Sequence, residues 1–214
     1  MGPQTSIISD RESEIENVRR GRPPVPASVM LAAADALFAD ADSPSTITMD
    51  AIAAAAGVGK GTLFRAFVSR DGLLDALWAA KQSALRATVE AGEPPLGPDA
   101  PSRERAIAFL DALLTFKLEN RHLMRAREVA PRLLQAEHYK WMHGLMRKLI
   151  EDAALGATAD DAGYAAHVLL VALHIDLIEE QLANGLSLEA IRSAQAAHAG
   201  AVIDDVGRGW CLQR

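Results

Sequence analysis

The sequence predicts an all-helical protein in two domains, and three observations carry that expectation. Half of the 214 residues are hydrophobic, enough to bury a core, while alanine is abundant, tyrosine occurs only twice and no long Val/Ile/Thr-rich alternation appears. Apolar residues recur three and four positions apart along most of the chain. The stretch GEPPLGPDAP at 92–101, with four prolines and two glycines in ten residues, cannot be helix and sets the boundary between the domains.

Taken in order, residues 1–18 are polar and acidic without periodicity, and no folded element is expected there. RRGRPPVP at 19–26 is an extended basic arm, because its prolines and glycine forbid a helix. Val29, Ala33, Leu37 and Phe38 mark an amphipathic helix over residues 27–39. A loop with Pro44 follows. In TITMDAIAAAAGVGKGTLFRAF at 46–67, Thr48 stands at an N-cap, Asp50 in the first turn of a short helix, and Ile52, Ala53 and Ala56 on its apolar face. Gly57 stands where the chain must turn through a left-handed conformation. A second short helix carries Lys60, Thr62, Phe64 and Arg65 outward and Leu63 and Phe67 inward. Two short helices joined by a glycine turn make a helix-turn-helix, a unit that reads duplex DNA. Ser69 caps a long helix reaching about Glu90, lined by Leu73, Leu74, Leu77 and Trp78.

Beyond the break, helices are expected over Ser102–Asn120, His122–Val129, and from Pro131 to about Ala154. One more runs from Thr158 or Asp160 to a stop at Asn184–Gly185, and a last one starts at Ser187. The count is about nine.

The net charge of −6 argues mildly against a nucleic-acid partner, but its distribution weakens the objection. Residues 19–70 hold six basic side chains against four acidic ones, a local basic face sufficient for phosphates. The single cysteine, Cys211, excludes a disulfide framework within one chain, and the longest apolar run, around Ala165–Ile178, is interrupted and too short to span a membrane. A cytoplasmic protein without membrane association is expected.

Residues 27–78, carried by AADALFAD and TITMDAIAAAAGVGKGTLFRAFVSRDGLLDALW, resemble the DNA-binding domain of tetracycline-repressor-type (TetR) transcription regulators. The family's run is roughly T-x-x-x-I-A-x-x-A-G-V-S-[KR]-G-T-[LI]-Y-x-[HY]-F-x-[SN]-K-[ED]-x-L. This chain departs from it at Gly59 (usually Ser), Phe64 (usually Tyr) and Ala66 (often His or Tyr), which removes up to three polar contacts to DNA. Arg70 takes the place of the Lys that meets the DNA backbone.

The expected DNA-binding residues are Arg19, Arg20, Arg22, Thr48, Lys60, Gly61, Thr62, Phe64, Arg65 and Arg70. Lys60 can meet guanine or a phosphate, Thr62 a phosphate or a thymine methyl, and Gly61 allows close approach. Arg65 lies further along, within reach of a base or a phosphate, or is solvated. Thr48 caps its helix, whose N-terminus also favours a phosphate. Arg20-Gly21-Arg22-Pro23 resembles the core of an AT-hook, slim enough for a narrow A·T minor groove.

The second domain shows no catalytic constellation, and no cofactor or metal is expected. Glu119-x-x-His122 is one copy of a spacing that di-iron bundles need twice, and His167 and His174 are seven apart on one expected helix. The resemblance implies an effector pocket here, with Phe109, Leu113, Phe116, Met124, Trp141, Leu145, Tyr164, His167 and His174 as candidate lining. The last two helices are the expected dimer surface, with Ile175, Ile191, Ala194, Ala197, Ala201 and Val202 as candidates. The resemblance implies a non-enzymatic, homodimeric regulator, most commonly a repressor, that binds a palindromic operator on double-stranded DNA and is released by a small effector, and the scarcity of charge in the second domain points to a mainly apolar one. Two alternatives stand beside it: an architectural helix-turn-helix protein without effector, and a ferritin-like helical metal enzyme.

Overall fold

The computed structural model describes residues 25–41, 46–127 and 137–208. The arm with Arg19, Arg20 and Arg22, the Pro44 loop, the helix start at Pro131 and Cys211 lie outside the described residues. Within them the chain is all helical: α1 (Ala27–Asp40), α2 (Met49–Ala55), α3 (Lys60–Phe67), α4 (Arg70–Ala91), α5 (Ser102–Glu119), α6 (Arg121–Arg127), α7 (Glu137–Ala153), α8 (Ala159–Val171), α9 (Ile175–Ala183) and α10 (Leu188–Val206).

These helices enclose two cores. The N-terminal core joins Met30, Ala34 and Phe38 of α1, Ile52 of α2, Leu63 and Phe67 of α3, and Leu73, Leu74 and Leu77 of α4. The C-terminal core joins the leucine face of α5 to Tyr139, Met146 and Ile150 of α7, Ala162, Ala165, Ala166 and Leu169 of α8, and Ile203 and Val206 of α10. The three alanines of α8 leave room for α7 to lie close. Each large side chain fully buried in such a core stabilises the fold by roughly 1.5–3 kcal/mol.

Two helices tie the cores together. α4 gives Leu73–Leu77 to the first and Val89 to the second, while α6 inserts Leu123, 1% exposed, into the first. The Pro/Gly segment between α4 and α5 is held by Arg105, whose Nη2 donates to Val89 O at 2.7 Å and Nε to Leu96 O at 3.0 Å. One arginine thus satisfies a carbonyl near the end of α4 and fixes the loop after it.

The structure corrects the single helix expected from Thr158 to Asn184. It breaks at Ala172–His174, and the axes of α8 and α9 are bent by 48°. A straight helix would place Leu173 and Ile175 on nearly opposite sides. The break lets both be buried, at 1% and 0% exposure, and Lys117 Nζ donates to the freed Leu173 carbonyl at 2.8 Å. His167 therefore lies on α8 and His174 in the break before α9, not on one helix face. Thr158 Oγ1 caps α8, accepting from Asp161 N at 3.2 Å, and Ser187 Oγ caps α10, accepting from Ala190 N at 3.1 Å.

Candidate nucleic-acid interface

The N-terminal bundle shows how a short sequence builds a helix-turn-helix. Thr48 Oγ1 accepts from Ala51 N at 3.2 Å and starts α2. At its other end Gly57 takes φ +66°, Gly57 N donates to Ala54 O and Val58 N to Ala53 O, at 3.1 and 2.9 Å. That pair of bonds around a left-handed residue is the Schellman stop, and it turns the chain directly into α3. Buried Leu63 and Phe67 hold α3 against α2 and α4, leaving Lys60, Gly61, Thr62, Phe64, Arg65 and Ala66 exposed. Ser69 Oγ then accepts from Gly72 N at 3.0 Å and starts α4. Gly72 is required by packing: a Cβ there would stand 2.2 Å from Phe67 O. Its role has no signature in the sequence.

The basic side chains of this face have distinct settings. Lys60 Nζ lies 2.8 Å from Asp50 Oδ1 and 5.9 Å from the centre of the Phe64 ring. Both members of the ion pair are well exposed, so the pair is weak in water and can exchange its partner for a phosphate. Arg70 Nε donates to Ile47 O at 3.3 Å, and its guanidinium lies 5.5 Å from the Phe38 ring centre. Arg70 thereby clamps the start of α4 to the entry of α2. Arg65 Nε lies 3.5 Å from Gly61 O, the long limit of a hydrogen bond. A Cβ at Gly61 would meet nothing within 4 Å, so the fold itself does not demand glycine there.

In the C-terminal bundle the candidate pocket residues divide. Phe109 and Leu113 are core, at 0% and 1% exposure. Phe116, Met124, Trp141 and Leu145 are half-buried. Trp78, Phe116, His138 and Trp141 pack together: ring centres are 5.4 Å apart for Trp78–Phe116, 6.4 Å for Trp78–His138 and 5.7 Å for His138–Trp141. Burial, aided by Lys117 and Arg86, pushes the His138 pKa down to about 4. Arg86 lies over the Trp141 ring and donates to Glu90 Oε1, which also accepts from Trp141 Nε1 at 3.1 Å.

Tyr164, His167 and His174 face solvent instead of an interior. His167 Nδ1 is bonded to Tyr139 Oη at 2.7 Å, and its ring stacks on His143 with centres 3.9 Å apart. A groove of about 550 Å³ lies between α5 and α10, lined by Ile107, Ala108, Asp111, Arg192 and Gln195 among others; none of the nine candidates lines it. Of the dimer candidates, Ile175 and Ile191 are buried within the chain at 0% and 5% exposure and offer nothing to a second copy. Ala194, Ala197 and Ala201 are exposed and Val202 is half-buried. Among the described residues no group of three or more His, Cys, Asp or Glu side chains could hold a metal ion. No single described helix is long and apolar enough to cross a membrane.

One contact between the bundles was invisible in the sequence. Asp35 of α1 bonds Lys81 Nζ of α4 at 2.5 Å, and its Oδ1 lies 3.8 Å from His122 Nε2 of α6. Neither of the two facing atoms has a hydrogen-bond partner. Burial holds the His122 pKa below the usual histidine range; Asp35 opposes this, and Lys81 and Arg121 add to it.

Residues 30–77 match the family of bacterial regulatory proteins described as tetR. The fold is shared with a TetR-like transcriptional regulator from Rhodococcus sp. RHA1, 23% identical over 86% of this chain and 96% of that one, at a TM-score of 0.54. A TetR-family regulator from Haemophilus influenzae RD gives 18% identity, coverages of 82% and 94%, and a TM-score of 0.54. No curated protein matches the chain. A helix-turn-helix at residues 30–77 thus matches this family, and a long helix joins it to a helical C-terminal bundle in a fold shared with these regulators.

Proposed function

We propose that the protein is a homodimeric repressor that holds a palindromic operator through α3 and releases it when a small, mainly apolar effector enters the C-terminal bundle. The exposed face of α3 carries this reading: Lys60, Gly61 and Thr62 open its first turn, the part of a recognition helix that enters the major groove. Thr48 at the start of α2, Arg65, Arg70 and the arm with Arg19, Arg20 and Arg22 would add phosphate or minor-groove contacts. The function needs no catalytic group and no cofactor.

The second copy would cover an outward face on two adjacent helices. Tyr164, Val168 and Val171 of α8 are 61%, 38% and 59% exposed, and beside them α10 presents Ala194, Ala197 and Ala201. Two such faces make a self-complementary four-helix contact about a two-fold axis. That axis would set the two α3 helices about one DNA turn apart, ~34 Å.

The aromatic cluster of Trp78, Phe116, His138 and Trp141 joins α4 to α5 and α7, where an apolar ligand would act on α4 directly. A shift of α4 or α6 reaches α3 because both helices contribute to the N-terminal core. The ligand must bind the released state better than the DNA-bound one, or the equilibrium does not move.

A binding selection on random duplex DNA with the full chain tests this. Enrichment of a palindrome is expected, together with a dimeric mass in solution. Salt-labile binding to any duplex without enrichment would overturn operator reading and favour an architectural role. Ala201→Glu, which places charge on the outward face, should convert the dimer to monomer and abolish palindrome binding; a dimer that persists would place the interface elsewhere.

A further inference from the structure

We infer that Phe64 and Val68 form an apolar edge of the reading helix that packs on thymine C5-methyl groups, so that thymine is selected there by apolar contact. This rests on the reading of α3 as the helix that enters the major groove.

Exposure along α3 sets the edge apart. The inward residues Leu63 and Phe67 are 0% and 8% exposed, whereas Phe64 is 38% and Val68 81% exposed. Lys60 and Phe64, four apart, share one ridge, and Val68 follows four residues later at the turn into α4. The one cation on that ridge is balanced by Asp50 at 2.8 Å. Phe64 and Val68 carry no hydroxyl or charge with which to bind a phosphate. Phe64 and Val68 therefore offer the groove an apolar surface beside the row that carries Gly61 and Arg65.

Val68 supplies an independent observation. Its backbone has φ +65° and ψ −49°, with Ser69 N donating to Phe67 O at 2.6 Å, a γ-turn of the strained, positive-φ kind. A β-branched residue there is a true outlier, and glycine would take the same turn without penalty. At 81% exposure almost no packing within the chain offsets the strain. Strain kept at an exposed position beside a binding surface points to a role in binding. Among the base edges of the major groove the thymine methyl is the apolar group, and aromatic and aliphatic side chains meet it by contact.

The test uses the full-length protein and the palindrome that it enriches from random duplex DNA. Each thymine is replaced in turn by deoxyuridine, which removes the methyl and keeps every hydrogen-bonding group, and affinity is read by fluorescence anisotropy at one ionic strength. The expected result is a loss of about fivefold at one symmetry-related pair of positions, absent in Phe64→Ala or Val68→Gly protein. Val68→Gly should also raise the melting temperature while weakening the thymine operator about fivefold, which separates a binding role from a folding one. Equal affinity for thymine and deoxyuridine at every position would overturn the inference and leave the ridge against sugars or solvent. A methyl effect that survives in both variants would assign the contact to another side chain, such as Thr62, and overturn it too. If the wild-type protein enriches no sequence at all, the reading of α3 fails first and this inference with it.

Discussion

The two bundles use sequence in different ways. In the N-terminal bundle the elements are short, and local signals fix them: a threonine cap, a glycine at φ +66°, a serine cap, and large side chains at set positions. In the C-terminal bundle long helices are built mainly from leucine and alanine, and their mutual facing is decided only by packing. A reading unit that must meet the regular geometry of DNA tolerates little change. The comparison teaches that the helix-turn-helix side of this fold is written locally, while the C-terminal bundle is written in tertiary contacts.

The largest effect should come from the small core. Phe38→Ala, at a position with 0% exposure, should cost about 3–5 kcal/mol. Hydrogen exchange should then show α1–α3 losing protection while α5, α7 and α8 keep theirs. Uniform loss across both bundles would break the comparison and make the chain one cooperative unit.

The next effect belongs to the aromatic cluster. An unfolded imidazole takes up a proton near pH 6.5, whereas folded His138 does so only at about 4. Its contribution is therefore fully present above pH 6.5 and is lost as the pH falls toward 4. At pH 5 the loss should be on the order of 2 kcal/mol. His138→Phe keeps a ring beside Trp78 and Trp141 and should remove that part of the acid sensitivity in thermal melts. His122 and His167 shift in the same direction and leave a smaller residue of it. An unchanged pH profile in the variant would show that His138 is not held neutral by its surroundings.

Helix caps come third and should act alike in both bundles. Thr48→Ala and Ser187→Ala should each cost about 1 kcal/mol in chemical denaturation. Only the first should also weaken DNA binding, because only Thr48 stands beside the reading helix. The smallest effect is expected at Arg103, whose bidentate bonds to Asp204, both 2.9 Å, lie in solvent. Arg103→Ala should leave the melting temperature almost unchanged. A clear drop would mean that this contact between α5 and α10 organises more than its exposure implies.

How much was legible follows the same division. The all-helical class, the caps at Thr48, Ser69 and Ser187, the turn at Gly57 and the stop at Gly185 all rest on interactions within five residues. The break at Ala172–His174 did not show, because it arises from burying Leu173 and Ile175 together and from a lysine on another helix. Tyr164 and His167 read as pocket candidates because spacing alone does not say which side of an alanine-rich helix faces inward. Ile175 and Ile191 read as surface for the same reason. The Asp35–Lys81–His122 contact joins residues far apart in sequence and leaves no local trace. Lys60 was legible as an outward residue at the start of its helix, but its pairing with Asp50 across the turn was not.

The most direct test of the central claim is the affinity of Lys60→Ala/Thr62→Ala protein for the palindrome that the wild-type chain enriches. It should be measured by anisotropy at one ionic strength, with a melting curve as control. If α3 reads the operator, specific binding should fall at least about tenfold while the fold stays intact. Undiminished specific binding by the folded double variant would contradict the account and place the reading surface outside α3.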